Sequence, residues 1–316
     1  MPTTKTNTKT TLFSRRQPGG AFTFVNELIT TGNVWFVDSG ATTNGGTGSS
    51  FGRTPDRPFT TYAYAISAAT TSNGDMIVLM PGHAETTSAI AHSKAGIKVL
   101  GLGFGGNRPN LTASTAASDL IDVTGANNTW ENIIFTGAAS GCTSLFSVST
   151  ADNLWKNCIF MHAATPVVCF SVSAGARNKW HGCRWIGTEN GPTHSIQFNG
   201  AAESASTGFE VIDCIFNYGK YGLDTAAIGN DATATVEGGI ILRNLFSGMG
   251  LCAVDFASSS SGSVRGIITD NYTSAFVATT VSDLYDVASY GGVWNYAVDA
   301  IEESSPLIGI PALTAS

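Results

Sequence analysis

Acidic side chains are the residues of this sequence with the clearest potential for chemistry. Hydrolysis of a glycosidic bond needs two carboxyl groups, about 5–5.5 Å apart in a retaining enzyme or about 6.5–9.5 Å apart in an inverting one. Glu210 and Asp213 are close in sequence, and Asp224 and Asp231 share one Gly- and Ala-rich stretch. Acids in such stretches are more often turn or surface residues. We therefore predict no catalytic residue, with Asp213, Glu210 and Asp224 as the weak remaining candidates.

The histidines and cysteines do not form a motif for a metal or a cofactor. The five histidines show neither HxH nor HExxH spacing, and the six cysteines include no CxxC pair. GLGFGG (Gly101–Gly106) matches the pattern GxGxxG, but Asn107, Arg108 and Pro109 follow it instead of a helix that could hold a pyrophosphate. The sequence predicts no metal and no cofactor.

A repeat of 25–31 residues determines where the side chains of this chain lie. Its copies are WENIIF (Trp130–Phe135), WKNCIF (Trp155–Phe160), WHGCRW (Trp180–Trp185) and VIDCIF (Val211–Phe216), with weaker copies VLGLGF (Val99–Phe104), ILRNLF (Ile241–Phe246) and IITDNY (Ile267–Tyr272). Short alternating runs lie between the copies, without the helical pattern that leucine-rich or helical arrays need, and propeller blades need about 40 residues. The repeat predicts a parallel β-solenoid, in which each strand pairs with its copy about 4.8 Å away in the next coil.

The aromatic residue that ends each copy predicts a ladder of stacked rings in the core. Its members are Phe135, Phe160, Trp185, Phe216, Phe246 and Tyr272. Cys158, Cys183 and Cys214 share the position two residues earlier, and therefore the same face of the strand. We expect buried thiols stacked at this position. Disulfide bonds between adjacent coils are the alternative.

The tryptophan that begins the three clearest copies leaves two arrangements open. If Phe160 points inward, strict alternation turns Trp155 outward, unless the strand bends at Asn157. Trp130, Trp155 and Trp180 would then form an exposed outer stripe, suited to a protein interface or to stacking against sugars. Packing in the core through a bend is the commoner arrangement.

The repeat also gives a test for paired carboxylates, because acids at matching outward positions would lie on neighbouring coils. The equivalent positions hold Asn132, Asn157, Gly182, Asp213, Arg243 and Thr269. Only one of these residues is acidic, so the repeat predicts no carboxylate pair.

Composition and charge limit the classes of protein and of partner. The chain is 43% hydrophobic but only 12% charged, which is unlike a coiled coil or a disordered protein. Its net charge of −7 argues against nucleic acid as the main partner. No apolar run approaches the roughly 18 residues that cross a bilayer. We therefore expect neither a nucleic-acid partner nor a membrane partner.

Both ends of the chain are expected to be extended. The basic residues of segment 1–30 are Lys5, Lys9, Arg15 and Arg16. Segment 1–20 carries a charge of +4 and the rest carries −7 − 4 = −11, so it is either a frayed tail or an arm that docks on an acidic neighbour. It lacks the apolar run of a secretory signal, whereas a transit peptide is a weaker alternative. Pro306 and Pro311 exclude a helix from the tail, 301–316.

Segment 31–82 differs from the repeats and is expected to cap the open end of the solenoid. It contains VWFVDSGATTNGG (Val34–Gly46), then TPDRPFTTYAYAISAA (Thr54–Ala69), then GDMIVLMPG (Gly74–Gly82). These runs predict a strand, a Gly-rich loop, a short amphipathic helix and the first coil strand. The expected division is therefore a basic arm (1–30), a cap segment (31–82), β-helix coils (83–300) and a C-terminal tail (301–316).

The order of elements in the cap segment resembles the start of pectate-lyase-like right-handed parallel β-helix proteins, most closely bacteriophage virion proteins of the decoration or tailspike-like kind. The matching positions are Asp38, Gly40, Gly46, Pro58, Phe59, Thr61, Gly74, Asp75, Ile77, Val78, Pro81 and Gly82. With the coils, the resemblance covers roughly residues 30–295. It implies an all-β, right-handed parallel β-helix with a short N-terminal capping helix and extended arms, associating as a homotrimer.

The resemblance is specific for the fold rather than for a reaction, since this fold carries lyases, hydrolases, binding proteins and structural parts. The expected function is a structural virion protein of a bacteriophage, made in the host cytoplasm. It decorates or cements the capsid surface, attached through its arm to the major capsid protein or another virion protein. The alternative is a tailspike or fibre protein that binds or depolymerises host surface glycans. A secreted lyase-like enzyme is a third reading, which would require a signal sequence.

Overall fold

The computed structural model describes residue 30 and residues 32–299, with gaps at 88, 115–117, 138–141, 163–167, 188–192, 200–205, 219–225, 231–235, 250–251, 257–263, 276–284, 288–290 and 293–294. Within the described residues, nearly all regular structure is β-strand, and the strands pair in parallel between successive coils. The chain is a parallel β-solenoid, so the predicted all-β, parallel β-helix class is confirmed. Except for residue 30, the predicted arms lie outside the described residues.

The coils contribute their strands to three parallel sheets. The first sheet contains β1 (Val34–Val37), β2 (Met76–Leu79), β5 (Lys98–Gly101), β8 (Thr129–Glu131), β11 (Leu154–Lys156), β14 (Lys179–His181), β17 (Ser206–Thr207), β18 (Glu210–Ile212), β21 (Val236–Leu242), β24 (Val264–Thr269) and β27 (Gly291–Gly292). The second contains β3 (Ala84–Thr87), β6 (Asn110–Ala113), β9 (Ile134–Gly137), β12 (Ile159–His162), β15 (Arg184–Gly187), β19 (Ile215–Asn217), β22 (Leu245–Met249), β25 (Asn271–Ala275) and β28 (Asn295–Asp299). The third contains β4 (Ile90–His92), β7 (Ile121–Val123), β10 (Ser144–Val148), β13 (Val168–Val172), β16 (His194–Phe198), β20 (Ala226–Asn230), β23 (Cys252–Phe256) and β26 (Tyr285–Val287).

Each copy of the repeat is two strands joined at a sharp corner, which we call the left-handed corner. It lies between the first and second sheets. Its residues are Asn132, Asn157, Gly182, Asp213, Arg243 and Asp270, with φ between 52° and 62°. A single residue with positive φ reverses the alternation of side chains between the two strands. The tryptophan before the corner and the aromatic residue after it can therefore both point into the core.

The outer aromatic stripe is wrong for this reason. Trp130, Trp155 and Trp180 are fully buried and stack face to face, with ring centroids 5.1 and 5.3 Å apart. Phe146 and Phe170 of the third sheet meet these rings edge-on, at 5.4 Å from Trp155 and 5.4 Å from Trp180 respectively. The three tryptophans are core residues that join two sheets.

The predicted core ladder is present through five coils. Ring centroids are 5.7 Å apart for Phe135 and Phe160, 4.9 Å for Phe160 and Trp185, 4.3 Å for Trp185 and Phe216, and 4.8 Å for Phe216 and Phe246. All five rings are fully buried. Parallel pairing in register places each ring on the one before it.

The two weakest copies of the repeat depart from the predicted ladder. Phe246 pairs with Thr273, so Tyr272 lies one position away from the ladder and is 54% exposed. The corner of that copy is accordingly Asp270 and not Thr269. In the first copy Phe104 is 85% exposed, and Leu111 of β6 takes the place below Phe135.

The cysteines in the shared position form a stack of thiols. Cys158, Cys183 and Cys214 are buried and free, so the disulfide alternative is wrong. Their Sγ atoms lie 3.3–3.5 Å from the carbonyl oxygens of Trp130, Trp155 and Trp180. Burial raises the pKa of Cys158 and of Cys183 well above the ordinary value. These thiols are small hydrophobic core groups.

Buried asparagines follow the turn that leads from the third sheet back to the first. The Oδ1 atom of Asn153 accepts the backbone N–H of Asn128 at 3.1 Å, and Oδ1 of Asn178 accepts that of Asn153 at 3.0 Å. Asn244 and Asn271 repeat the arrangement beside the left-handed corner, at 2.9 Å. Each amide satisfies a backbone group that the turn leaves outside the ladder of strand hydrogen bonds.

The cap helix α1 (Tyr62–Ala68) covers the first coil, as the cap segment predicts. The hydroxyl of Tyr62 lies 2.6 Å from Nδ1 of His92, and Glu85 accepts the backbone N–H of Tyr62 at 2.7 Å. Tyr62, Ala65 and Ile66 are buried. Burial lowers the pKa of His92 to about 3, so this histidine is neutral in the folded chain at pH 7.

A buried carboxylate fastens the start of the first sheet. Asp75 is fully buried and accepts the backbone N–H groups of Asn33 (2.7 Å) and Thr70 (2.8 Å), and the side-chain N–H groups of Asn73 (2.7 Å) and Trp35 (3.3 Å). Burial alone would raise the pKa of Asp75, but the hydrogen bonds outweigh it and hold the pKa below the ordinary value. The carboxylate therefore stays charged without a cation.

We expect Asp75→Asn to lower the free energy of unfolding by about 2–4 kcal/mol at pH 7, because an amide cannot accept every donor that points at the carboxylate. The pKa of Asp75 is lower in the folded chain than in the unfolded chain, where it is about 4. The ionised carboxylate therefore stabilises the folded chain above about pH 4, and this stabilisation is lost as the pH falls below that value. The difference in the free energy of unfolding between wild type and variant, measured with urea, should therefore become smaller below about pH 4. Asp122→Asn, on the outer face of β7, is the control and should show no such difference.

We expect the buried free thiols to resist a thiol reagent until the protein unfolds; they belong to Cys142, Cys158, Cys169, Cys183 and Cys214. Burial keeps the reagent from these sulfur atoms, and it raises the pKa of Cys158, Cys169 and Cys183 well above the ordinary value, so that these three form little of the reactive thiolate. Ellman's reagent should leave the five thiols unmodified in native buffer and should modify them in strong urea. Rapid native modification of two or more thiols would contradict the stacked core.

Candidate functional site

Alternation in the first sheet places a row of charged side chains on its outer face. Glu131 lies between two lysines, with Oε2 3.0 Å from Nζ of Lys98 and Oε1 3.1 Å from Nζ of Lys156. Partial burial would raise the pKa of Glu131, but the two lysines outweigh it and lower the pKa. This carboxylate is ionised and held from both sides at neutral pH.

Glu210, a weak catalytic candidate, lies three coils further on and contacts two side chains of the preceding coil. Its Oε1 atom lies 2.7 Å from Nζ of Lys179, and its Oε2 atom lies 2.8 Å from Nε2 of His181. Partial burial opposes these contacts, yet the pKa of Glu210 is lowered. A general acid needs a raised pKa, so this environment disfavours that role for Glu210.

Asp213, the other described candidate, occupies the left-handed corner and pairs with the corner residue of the next coil. Both carboxylate oxygens bind the guanidinium of Arg243, at 2.7 Å from Nε and 2.9 Å from Nη2. Arg243 lowers the pKa of Asp213. Asp224 and Asp231 lie outside the described residues, as do Lys5, Lys9, Arg15 and Arg16.

Acids recur at one outward position of the third sheet. This position holds Asp122, Ser147, Ser171, Gln197, Gly229, Asp255 and Asp286 in successive coils, as the register shows. Four coils lie between Asp122 and Asp255, whereas Asp286 pairs in register with Asp255 on the next coil. Among the described residues, no group of three or more His, Cys, Asp or Glu side chains is arranged to hold a metal ion. In the part of the chain that the structure describes, no helix is long and apolar enough to span a membrane.

A groove of about 470 Å³ runs over the left-handed corner, and we call it the corner groove. Its lining residues are Phe104, Gly105, Arg108, Asn157, Cys158, Ile159, Gly182, Cys183, Arg184, Asp213 and Ile215. They come from successive coils, so the groove follows the axis of the solenoid. It is a continuous open surface rather than an enclosed pocket.

The GLGFGG run builds one end of the corner groove. Gly103 and Gly105 have φ of 103° and 56°, which lets the chain turn out of the coil and project Phe104 into solvent. The side-chain amide of Asn132 donates to the carbonyl oxygens of Gly101 (2.7 Å) and Gly103 (3.0 Å). The loop is therefore fixed to the corner of the neighbouring coil, and its aromatic side chain stands beside the groove.

Two arginines line the corner groove, and neither has a carboxylate partner among the residues that the structure describes. Arg108 is half-buried and Arg184 is exposed. None of the ion pairs within the described part of the chain includes either residue. The groove therefore offers two guanidinium groups to a ligand.

The sequence reasoning found the corner positions but not the groove. It singled out Asp213 and Glu210, which the structure places at and beside the groove in ion pairs. Arg108 and Arg184 were not predicted, because neither occupies the corner position of the repeat. Alternation along the strand could have predicted an outward Arg184, because this residue lies between the buried residues Cys183 and Trp185.

No protein-family model matches this chain, and no curated protein matches it. Among solved structures, a rhamnogalacturonan lyase has a TM-score of 0.57 at 12% identity, over 85% of this chain and 73% of the lyase. The pectate lyase Pel9A has a TM-score of 0.57 at 16% identity, over 86% of this chain and 72% of that one. ORF18 of Geobacillus virus E2 has a TM-score of 0.40 at 12% identity, over 76% of this chain and 58% of that one.

The likeness to the two lyases establishes the pectate-lyase-like parallel β-helix fold. At these identities it says nothing about reaction or substrate. The likeness to the viral protein is too loose to support any conclusion.

We expect Glu131→Gln to lower the free energy of unfolding by about 1–2 kcal/mol in low salt at pH 7, because it leaves Lys98 and Lys156 close together without their shared anion. Since the folded pKa of Glu131 is lowered, its contribution should be present above the ordinary glutamate pKa and fade as the pH falls below it. Urea unfolding with and without 1 M salt measures the effect, which salt should reduce. The control is Asp213→Asn at the exposed corner, where a loss as large as that of Glu131→Gln would contradict this interpretation.

Proposed function

We propose that this chain is a structural protein of a bacteriophage particle that decorates or cements the capsid surface without cleaving a substrate. The observation that carries the proposal is the state of three carboxylates on the outer face of the first sheet and at the left-handed corner. Glu131, Glu210 and Asp213 each lie against cationic side chains that lower their pKa values. A surface of saturated ion pairs suits a durable structural part better than a site that exchanges protons.

The termini and the resemblance of the cap segment support the particle assignment. The basic arm, with Lys5, Lys9, Arg15 and Arg16, complements an acidic surface such as that of a major capsid protein. The cap segment resembles that of virion β-helix proteins, which often associate in threes, so we propose a homotrimer. The protein would be made in the host cytoplasm and reside in the virion.

We expect attachment to particles to require the arm. A variant with Lys5, Lys9, Arg15 and Arg16 changed to Gln should fold normally but should not bind particles that lack the wild-type protein. Binding is measured by co-sedimentation, and salt should weaken it because exposed charges are screened. Truncation of residues 1–20 should have the same effect.

Lys94→Gln combined with Arg177→Gln is the control, since it removes charge from the β-helix and keeps the arm. Far-UV circular dichroism shows whether each variant is folded. Undiminished sedimentation of the folded arm variant with particles would rule out attachment through the arm. Absence of the protein from purified particles examined by electron microscopy would refute the virion assignment itself.

A second candidate is a tailspike or fibre protein that binds or depolymerises host surface glycans, and the corner groove favours it. Release of new reducing ends from host polysaccharide tests the enzymatic form of this candidate. We expect no release from the wild-type protein. Release that is abolished by Asp213→Ala or Glu210→Ala would replace the structural proposal with an enzymatic one.

A further inference from the structure

We infer that the cap is an acid-sensitive lid on the first coil, which is released when His92 takes up a proton while the coils behind it stay folded. The lid is the loop that follows β1 together with helix α1, residues 38–69. This device goes beyond the proposed function, because it depends neither on a phage particle nor on a substrate. It is a property of the isolated chain.

Two histidines of the first coil hold the lid through hydrogen bonds that they accept. The backbone N–H of Ser39 donates to Nδ1 of His83 at 3.0 Å, and the hydroxyl of Tyr62 lies 2.6 Å from Nδ1 of His92. The Nε1–H group of Trp130 can only donate, and it contacts the hydroxyl oxygen of Tyr62 at 3.3 Å. The hydroxyl therefore donates its own proton to His92. Both imidazoles are neutral acceptors when the lid is closed.

Protonation of His92 is incompatible with the closed lid. A protonated imidazole carries N–H groups at both nitrogens and has no acceptor. The O–H group of Tyr62 would then need another acceptor, while its oxygen already receives the N–H of Trp130. All three side chains are fully buried, where a donor without an acceptor is unfavourable. Opening the lid returns these groups to water and removes the conflict.

His92 is the proton sensor rather than His83, because only His83 has a carboxylate beside it. The Oε2 atom of Glu85 lies 3.4 Å from Nε2 of His83, and a neighbouring carboxylate favours the protonated imidazole. The same oxygen accepts the backbone N–H of Tyr62 at 2.7 Å. None of the ion pairs within the described part of the chain includes His92, whose ring lies 4.8 Å from that of Trp130.

The pKa of His92 sets the direction and the range of the effect. Burial lowers this pKa to about 3, and the side chain of Asn128 opposes burial only in part. In an open lid the ring is in water, where the ordinary pKa is about 6.5. The open form therefore binds the proton more tightly. Closure is strongest above about pH 6.5, and it weakens about tenfold for each unit by which the pH falls from there to about 3.

The other titratable groups around the lid change little in the upper part of this range. Asp75 accepts the backbone N–H of Thr70 just after the lid, and its lowered pKa keeps it ionised at pH 4.5. Burial raises the pKa of Tyr62, so its hydroxyl stays protonated. Asp122 belongs to β7, which pairs with β4, but lies on the outer face of the sheet. Glu85 is the remaining acid, and carboxyl groups with the ordinary pKa of about 4.3 are ionised above about pH 5.

The coils behind the lid are held by groups that acid leaves unchanged. Their buried asparagines do not titrate, and the thiols of Cys158 and Cys183 have raised pKa values, so they stay protonated in acid. His194 is a second buried histidine, and burial lowers its pKa to about 4. It lies in β16, four coils away from β4, and therefore provides a matched control for His92.

The test is hydrogen exchange of the full chain, measured by mass spectrometry between pH 7.5 and pH 4.5. Dividing each peptide's exchange rate by its rate in the unfolded chain at the same pH removes the pH dependence of the chemistry. We expect the protection of segment 60–70 to fall about 100-fold over this range, because each pH unit below about 6.5 contributes about tenfold. The protection of segment 145–160, in the coils, should stay constant within about threefold.

Variants identify the group that takes up the proton. His92→Asn keeps an acceptor for the hydroxyl of Tyr62 but cannot be protonated, so segment 60–70 should stay protected at pH 4.5. His194→Asn is the matched control and should lose protection of segment 60–70 as wild type does. Glu85→Gln keeps an acceptor for the backbone N–H of Tyr62 and should show the wild-type slope between pH 6.5 and pH 5. Circular dichroism at pH 7.5 shows whether each variant is folded.

Three outcomes would overturn the inference: constant protection of segment 60–70 in wild type down to pH 5, the wild-type loss in folded His92→Asn, or an equal loss in segment 145–160. The first and third are measured on wild type alone, so they decide the matter even if a variant does not fold. Failure of the proposed particle attachment leaves the inference intact, since that test depends on the basic arm and this one on the lid.

Discussion

The left-handed corner is the constraint on which the rest of this β-helix depends. One residue with φ near 55° in each copy turns the chain and lets the aromatic residues on both sides of it point inward. Without that reversal, Trp155 and Phe160 could not both be buried, and the stacked tryptophans would be lost from the core. Residues other than glycine adopt this conformation at a cost of roughly 1–2 kcal/mol each. The buried rings and the in-register hydrogen bonds of the neighbouring strands offset this cost.

The left-handed conformation of the corner also explains why polar residues recur at this position in successive coils. Asn132 tolerates positive φ and at the same time donates to the carbonyls of the GLGFGG loop. Asp213 and Arg243 are worse suited to this backbone conformation, yet their two parallel hydrogen bonds fasten successive corners to each other. Asp213 thus connects two neighbouring coils at the corner. Its ion pair holds neighbouring coils in register on the outside, as the thiols and rings do inside.

The sequence predicts those features that repeat from coil to coil, and it does not predict those that depend on contacts between unlike residues of different coils. The spacing of Trp130, Trp155 and Trp180 identified the coil and most of the ladder, because stacked positions must accept the same side chain. The copy IITDNY was misaligned by one residue, since Ile267 and Ile268 are equally apolar and only the second is buried. The conformation of the corner could not be predicted, because Asn, Gly, Asp and Arg share no chemical type. The corner groove could not be predicted either, since it joins a loop of one coil to side chains of others.

The core and the surface of this solenoid are therefore under different physical constraints. Inside, each position is fixed by the identical position above and below, so substitutions are tolerated only when they keep volume and polarity. Outside, successive coils impose no such identity, and the residues flanking the corner change from Ile159 to Arg184 to Ile215. A uniform scaffold with a non-uniform outer face is a means of placing unlike groups at a regular spacing of about 4.8 Å. Arg108 and Arg184, which no ion pair within the described part of the chain includes, and the exposed Phe104 are departures from the repeat that the fold does not require.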